Sequence, residues 1–188
     1  NKISSSEKYN YSDVPVNIGY FGIFTEGIRE PTNYLNSIFK DSENDFHHYW
    51  YINNESKKYF ISYLNNKQHT FKNLVPRTEA IDLMINKMHI LLSIGNKNTY
   101  QLPSKVIEYI SLGKPVLHFA EISNDPMYKF ENLFNNLKII NNNTQKEDIQ
   151  KFLQSFQLQT VKLNIDNFEN NFSSNSIIEN LNSSLHDK

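Results

Sequence analysis

The sequence predicts an α/β fold: a doubly wound, parallel, six-stranded, Rossmann-like sheet with further helices toward the C-terminal end. Three observations predict it. Short apolar runs recur at 16–22, 47–53, 69–75, 89–95, 115–120 and 136–140. Amphipathic stretches lie between several of them. The run HILLSIG (89–95) has almost no polar alternation, as a strand buried on both faces of a parallel sheet requires. Alternating strands and helices call for right-handed crossovers, and six such strands take the order 3-2-1-4-5-6.

Each element follows from its own residues. Residues 1–15 are polar without a helical or alternating period and read as a linker or arm; one domain is expected over 16–188. The first strand is VNIGYFG (16–22). PTNYLNSIFK then places Tyr34, Leu35, Ile38 and Phe39 on one helical face, with Pro31 in the first turn. HHYWYIN (47–53) and HTFKNLV (69–75) supply two more strands. TEAIDLMINKM sets Ile81, Met84, Ile85 and Met88 together, with Thr78 as its cap. After HILLSIG comes PSKVIEYISLG, with Pro103 in its first turn, a stripe of Val106, Ile107, Tyr109 and Ile110, and a stop at Gly113. PVLHFA and NLKII complete the sheet. Beyond 141 a helix carries Ile149, Phe152, Leu153 and Phe156, and a last one is expected near Ser174–Leu185.

Composition narrows the function classes. The chain has 188 residues, enough for one domain of ordinary size, and 38% are hydrophobic. Thirteen Phe, eleven Tyr and one Trp provide for a core. Nineteen basic against twenty acidic residues give a net charge of −1, which argues against a general nucleic-acid binder and a polybasic membrane anchor. The absence of Cys excludes disulfides, thiolate zinc sites and Cys nucleophiles, and fits a reducing, cytoplasmic location. No apolar run approaches the ~20 residues of a membrane span. No signal peptide is visible, and the chain begins without Met, as a fragment of a longer protein would.

In such a sheet a ligand sits beyond the carboxyl ends of the strands, where the strand order reverses. That places it at the loops after strands one and four. The first loop, GIFTEGIREP (22–31), carries Gly22, which lets backbone approach a ligand, and Arg29, which can grip a phosphate. The competing reading is a turn with a surface arginine, and the spacing is not GxGxxG. The second loop leads into Pro103, Ser104 and Lys105, where free helix N–H groups and a full positive charge favour an anion. Glu108 lies one turn on, on a similar side, placed to accept ribose hydroxyls. The alternative is an i, i+3 Lys–Glu surface pair.

The segment PSKVIEYISLGKPVL resembles the donor-binding segment of GT-B glycosyltransferases, especially the large retaining group called family four. Pro103, Lys105, Glu108, Gly113, Pro115 and Val116 match its pattern in order and spacing, and YFGIF (20–24) is similar to its glycine-ended first strand. The likeness covers roughly 16–141. It implies the C-terminal, donor-binding half of an enzyme that moves sugar from a nucleoside diphosphate to an acceptor hydroxyl, as in polysaccharide or glycoconjugate synthesis. Glu108 would hold the ribose, the backbone at Ser104 and Lys105 the diphosphate, and the loop from Leu74 to Arg77 the base. Arg29 would stand near the basic residue that neutralises the leaving group. Arg29 and Lys105 are thus the catalytic candidates; Gly22, Arg77, Tyr100, Pro103, Ser104, Lys105 and Glu108 the donor-binding ones. Tyr100 stands eight positions before Glu108, where many relatives carry a Glu that helps hold the donor sugar. Ile23 follows the first-loop glycine where many have Arg.

The resemblance implies no metal and no cofactor beyond the donor, with UDP ahead of GDP, and an upstream acceptor-binding domain as partner. It allows peripheral membrane association of the full enzyme. A GT-B-shaped nucleotide-sugar epimerase and a catalytically silent interaction domain of the same fold stay open beside it. The six His form no HxH or HExxH spacing. His47 and His48 must point to opposite faces of their strand. His118 reads as a core or strand-end histidine, and Glu121 and Asp125 as loop acids that could line the cleft.

Overall fold

The computed structural model describes residues 16–37, 46–101 and 103–158. The arm over 1–15, Ile38 and Phe39, the side chain of Phe156, and the last expected helix lie outside the described residues. Among the described residues there are six strands: β1 (Val16–Phe21), β2 (Phe46–Tyr51), β3 (His69–Lys72), β4 (Ile90–Ile94), β5 (Val116–Phe119) and β6 (Leu137–Ile140). They form one all-parallel sheet in the expected order β3-β2-β1-β4-β5-β6. All five residues of β4 are buried, Ser93 included, as its almost wholly apolar run required.

Both faces are covered. The helix α1 (Thr32–Asn36), a 3-10 helix over Glu55–Tyr63 and α4 (Lys146–Leu158) cover one. There Tyr34, Leu35, Phe60, Ile149 and Leu153 pack on Ile18, Trp50, Ile90, Leu92 and Phe119. On the other face, α2 (Arg77–Asn86), α3 (Ser104–Ser111) and a 3-10 helix over Pro126–Lys129 bring Leu83, Met84, Val106, Tyr109, Ile110 and Met127 onto Phe21, Tyr51, Leu91 and Ile139. Gly19 on β1 lies directly under Met88; a Cβ there would come within 2.6 Å of its Cγ and Sδ.

Several local expectations are corrected. Thr78 does not cap α2: the helix starts at Arg77, and Pro76, in extended geometry, is its N-cap residue. Pro31 and Pro103 likewise stand at the N-cap, one place before the first turn. The stripe of α2 is rotated, burying Leu83 with Met84 and Met88 and leaving Ile81 and Ile85 partly exposed. In α3 Ile107 is partly exposed. Gly113 does end α3, at φ +70 and donating its N–H to Ile110 O at 3.0 Å, a left-handed geometry that favours glycine.

The β1–β2 ladder runs from Val16 opposite Phe46 to Phe21 opposite Tyr51, whereas the β1–β4 ladder holds Ile18 opposite Ile90 and Gly19 opposite Leu91. The end of β1 therefore extends past its pairing with β4. A crevice opens there, at the switch point of the strand order.

Candidate functional site

The two switch-point loops are tied together. After β1 the chain turns tightly: Thr25 and Arg29 form an antiparallel bridge, and Gly27 takes φ +73. Most amides of this loop already have protein acceptors, within the loop or on neighbouring elements. Gly22 donates to Tyr51 O, Phe24 to Ser56 Oγ, Thr25 to Arg29 O, Gly27 to Glu30 Oε1, and Ile28 and Arg29 both to Thr25 O. The loop is thus a closed turn and not an open phosphate cradle. Arg29 Nε donates to Asn96 Oδ1 at 3.0 Å, and Lys97 N to Ile28 O at 2.7 Å. Lys97 also pairs with Glu30 at 2.6 Å, and that contact, with the Gly27 amide, holds the Glu30 carboxyl below its ordinary range. Beneath the loop, burial pushes the Tyr20 hydroxyl up to about 12, partly opposed by nearby Arg29.

Beside this loop, on the face covered by α2 and α3, lies a cleft of about 270 Å³. Leu74, Val75, Ala80, Ile81, Met84 and Phe21 form its apolar wall, and Arg77, Lys105 and Glu108 supply its charge. The Lys105 ammonium donates to the main-chain carbonyl of Phe21, to which Tyr109 Oη also donates at 3.3 Å. Burial lowers the Lys105 amine from its ordinary value; Glu108 opposes this and Arg29 adds to it. Arg77 places Nε at 3.0 Å and Nη2 at 2.9 Å from a single oxygen of Glu108, Oε1. The alternative, a Lys105–Glu108 surface pair, is not what the side chains form; each has another partner. Val106 N, the third amide of α3, donates back to Pro103 O. The amides of Ser104 and Lys105 precede it at the positive end of the helix.

The site residues fall into two groups. Arg77, Lys105 and Glu108 meet in the cleft, with Pro103 buried and Ser104 exposed at the entry to α3. Arg29 is held at Asn96 and is not among the cleft-lining residues. Gly22 is buried, and a Cβ there would stand 3.1 Å from the Tyr20 hydroxyl oxygen. Tyr100 is 91% exposed and does not line the cleft. Sequence reasoning missed Phe21, whose carbonyl is the anchor, and Asn96, which ties the two loops. Neither carries a motif; both are set by where β1 and β4 part.

The other candidates resolve by burial. His118 is fully buried between Ser93 Oγ at 3.2 Å and Asp125 Oδ2 at 3.1 Å. It is a satisfied core histidine, and Asp125 is correspondingly buried and does not line the cleft. Asp125 Oδ1 also caps the Pro126–Lys129 helix through Met127 N. Glu121 is half-buried, accepts from Asn33 at 2.8 Å, and has its carboxyl pushed up by burial. His47 and His48 diverge as alternation requires, His47 to Thr70 and His48 to the Tyr34 hydroxyl. Among the described residues no group of three or more His, Cys, Asp or Glu is placed to hold a metal ion.

Fold and site together define an α/β, Rossmann-like domain with a small, charged and apolar cleft at the switch point of its sheet. No protein-family model and no curated protein matches the chain. Among the described residues no helix is long and apolar enough to cross a membrane.

Proposed function

We propose that this chain is the donor-binding domain of a GT-B-type glycosyltransferase, taking a nucleoside-diphosphate sugar in the cleft between α2 and α3. One observation carries the reading. Lys105 and Glu108, three positions apart in one motif, line a cleft at the end of β1 where the strand order reverses. In this reading the Ser104 and Lys105 amides receive the diphosphate, and Glu108 Oε2, which Arg77 leaves uncovered, accepts a ribose hydroxyl. The apolar wall of Leu74, Val75 and Ile81 receives the base. The reaction breaks the bond between the anomeric carbon and the phosphate oxygen, and the diphosphate leaves with the electron pair. The acceptor oxygen bonds to that carbon and gives up its proton. Within this chain the chemistry is electrostatic: Lys105, the positive end of α3 and, further off, Arg29 stabilise the departing charge. The acceptor, and any base that takes its proton, belong to an upstream domain.

Titration calorimetry with UDP and GDP tests the reading. Heat is expected with one of them, and Glu108→Ala should weaken that binding by roughly 1–3 kcal/mol, the range for a hydrogen bond to a charged group. Absence of heat with both would favour the catalytically silent module. The exposure of Tyr100, away from the cleft, is the observation on that side.

A further inference from the structure

The cleft holds a contact that the donor reading does not require. Arg77 is the first residue of α2, and its side chain is 80% exposed, against 25% for Glu108. Both its bonds fall on Oε1, so the pair lacks the two-oxygen fork in which Arg–carboxylate contacts are strongest. An exposed pair of this kind contributes little stability and exchanges readily. Yet it occupies one oxygen of the only carboxylate that lines the cleft among the described residues. Glu26 and Glu30, on the β1 loop, pair instead with Lys58 and Lys97, away from the cleft lining.

We infer that Arg77 is a selectivity residue that guards Glu108 and releases it in exchange for a phosphate. The inference rests on the nucleotide reading above. A ribose diol puts one hydroxyl on the uncovered Oε2 of Glu108, and its second hydroxyl competes with the guanidinium for Oε1. A nucleoside offers the displaced Arg77 nothing in return. A nucleoside diphosphate does, because Arg77 lines the same cleft as Lys105, at the phosphate end of α3. The guanidinium then passes from one anion to another and its charge stays neutralised. Discrimination between nucleotide and nucleoside follows from this swap, in addition to the direct pull of the α3 terminus on phosphate. Lys105 takes no part in the exchange: its ammonium gives one of its three donors to the Phe21 carbonyl and is not bonded to Glu108, so it serves phosphate without uncovering the carboxylate.

The test compares uridine with UDP, or guanosine with GDP if that is the pair the wild type binds. Affinities are measured by calorimetry and ligand-observed NMR on wild type, Arg77→Ala and Arg77→Lys, with thermal melts as a check on folding. In Arg77→Ala the diphosphate should bind about 5–10-fold more weakly, the scale of one partly exposed charge contact. The nucleoside should bind as well as before or a few-fold better, because its competitor is gone. The ratio between them should collapse, and the salt dependence of diphosphate binding should flatten. Arg77→Lys should restore part of the ratio, retaining charge without the planar fork. Equal weakening of both ligands in Arg77→Ala would overturn the inference and leave Arg77 as a brace for Glu108. An unmoved ratio would overturn it as well. Failure of the wild type to bind either nucleotide would instead remove the nucleotide reading, and this inference with it.

Discussion

The ammonium of Lys105, in the first turn of α3, donates to the main-chain carbonyl of Phe21, the last residue of β1. The contact compensates for a feature of the sheet. Pairing with β4 has stopped at Gly19, and the Gly22 amide is directed to Tyr51 on β2. The Phe21 carbonyl and the Gly22 amide form one trans peptide group and point opposite ways, so the carbonyl faces the gap that β4 has left. A buried carbonyl without a partner is costly. Lys105 and Tyr109 supply two donors from α3, which fixes the helix tip beside the crevice.

Lys105→Met should therefore lower stability as well as any ligand affinity. The expected loss is about 1–2 kcal/mol, at the low end for a charged hydrogen bond because Tyr109 still serves the carbonyl. Urea unfolding followed by the fluorescence of Trp50, fully buried and the single tryptophan of the chain, measures it. A midpoint equal to wild type would show that the tie has no energetic role.

Gly95→Ala tests the packing behind the crevice. A Cβ on Gly95 would meet Asp125 Oδ2 at 2.4 Å, Phe119 O at 3.1 Å and His118 Nε2 at 3.3 Å. Asp125 cannot simply swing away, since His118 and the Met127 amide both hold it. Overpacking of this kind costs about 1–3 kcal/mol. Chemical denaturation is expected to show that loss; wild-type stability in the variant would mean that the Ser93–His118–Asp125 chain yields easily.

Acid should destabilise the β2–β3 side of the sheet. Burial holds His69 down to about 4 from 6.5, and holds the fully buried His48 well below its ordinary value, with neighbouring histidine charges adding in the same direction. Above 6.5 both residues are neutral, folded or unfolded, and their contribution to stability is complete. As pH falls below that, the unfolded chain takes up protons that the folded chain refuses. Stability drops until the folded values are passed, near pH 4 for His69. The Trp50 indole N–H donates to His69 Nδ1 at 2.9 Å, which requires that nitrogen unprotonated. His69→Gln, which keeps an acceptor and cannot titrate, should flatten the fall of the urea midpoint between neutral pH and about pH 4. The same slope in the variant would remove His69 from this account.

What the sequence revealed and what it hid follow physical lines. Strands buried on both faces are legible as apolar runs, and strand order follows from their alternation with helices; HILLSIG and VNIGYF illustrate this. The 3-10 helix over Glu55–Tyr63 was not foreseen because it buries only Ser56 and Phe60 and has no wide apolar stripe. The anion-favouring first turn of α3 was legible from Pro103, Ser104 and Lys105. The partner of each charge was not. Arg77 and Glu108 are separated by 31 positions and Lys105 and Phe21 by 84, so only the folded chain brings them together. Thr78 has the residue type of a cap, but the ring of Pro76 fixes the entry to α2 two residues earlier.

The bonds from Arg29 to Asn96 and from Lys97 to Ile28 join loops that belong to different halves of the sheet. Two segments that could have wandered separately are thereby coupled into one stiff lip. A molecule arriving at that rim meets a surface whose shape is already set. Little conformational entropy is lost there on association.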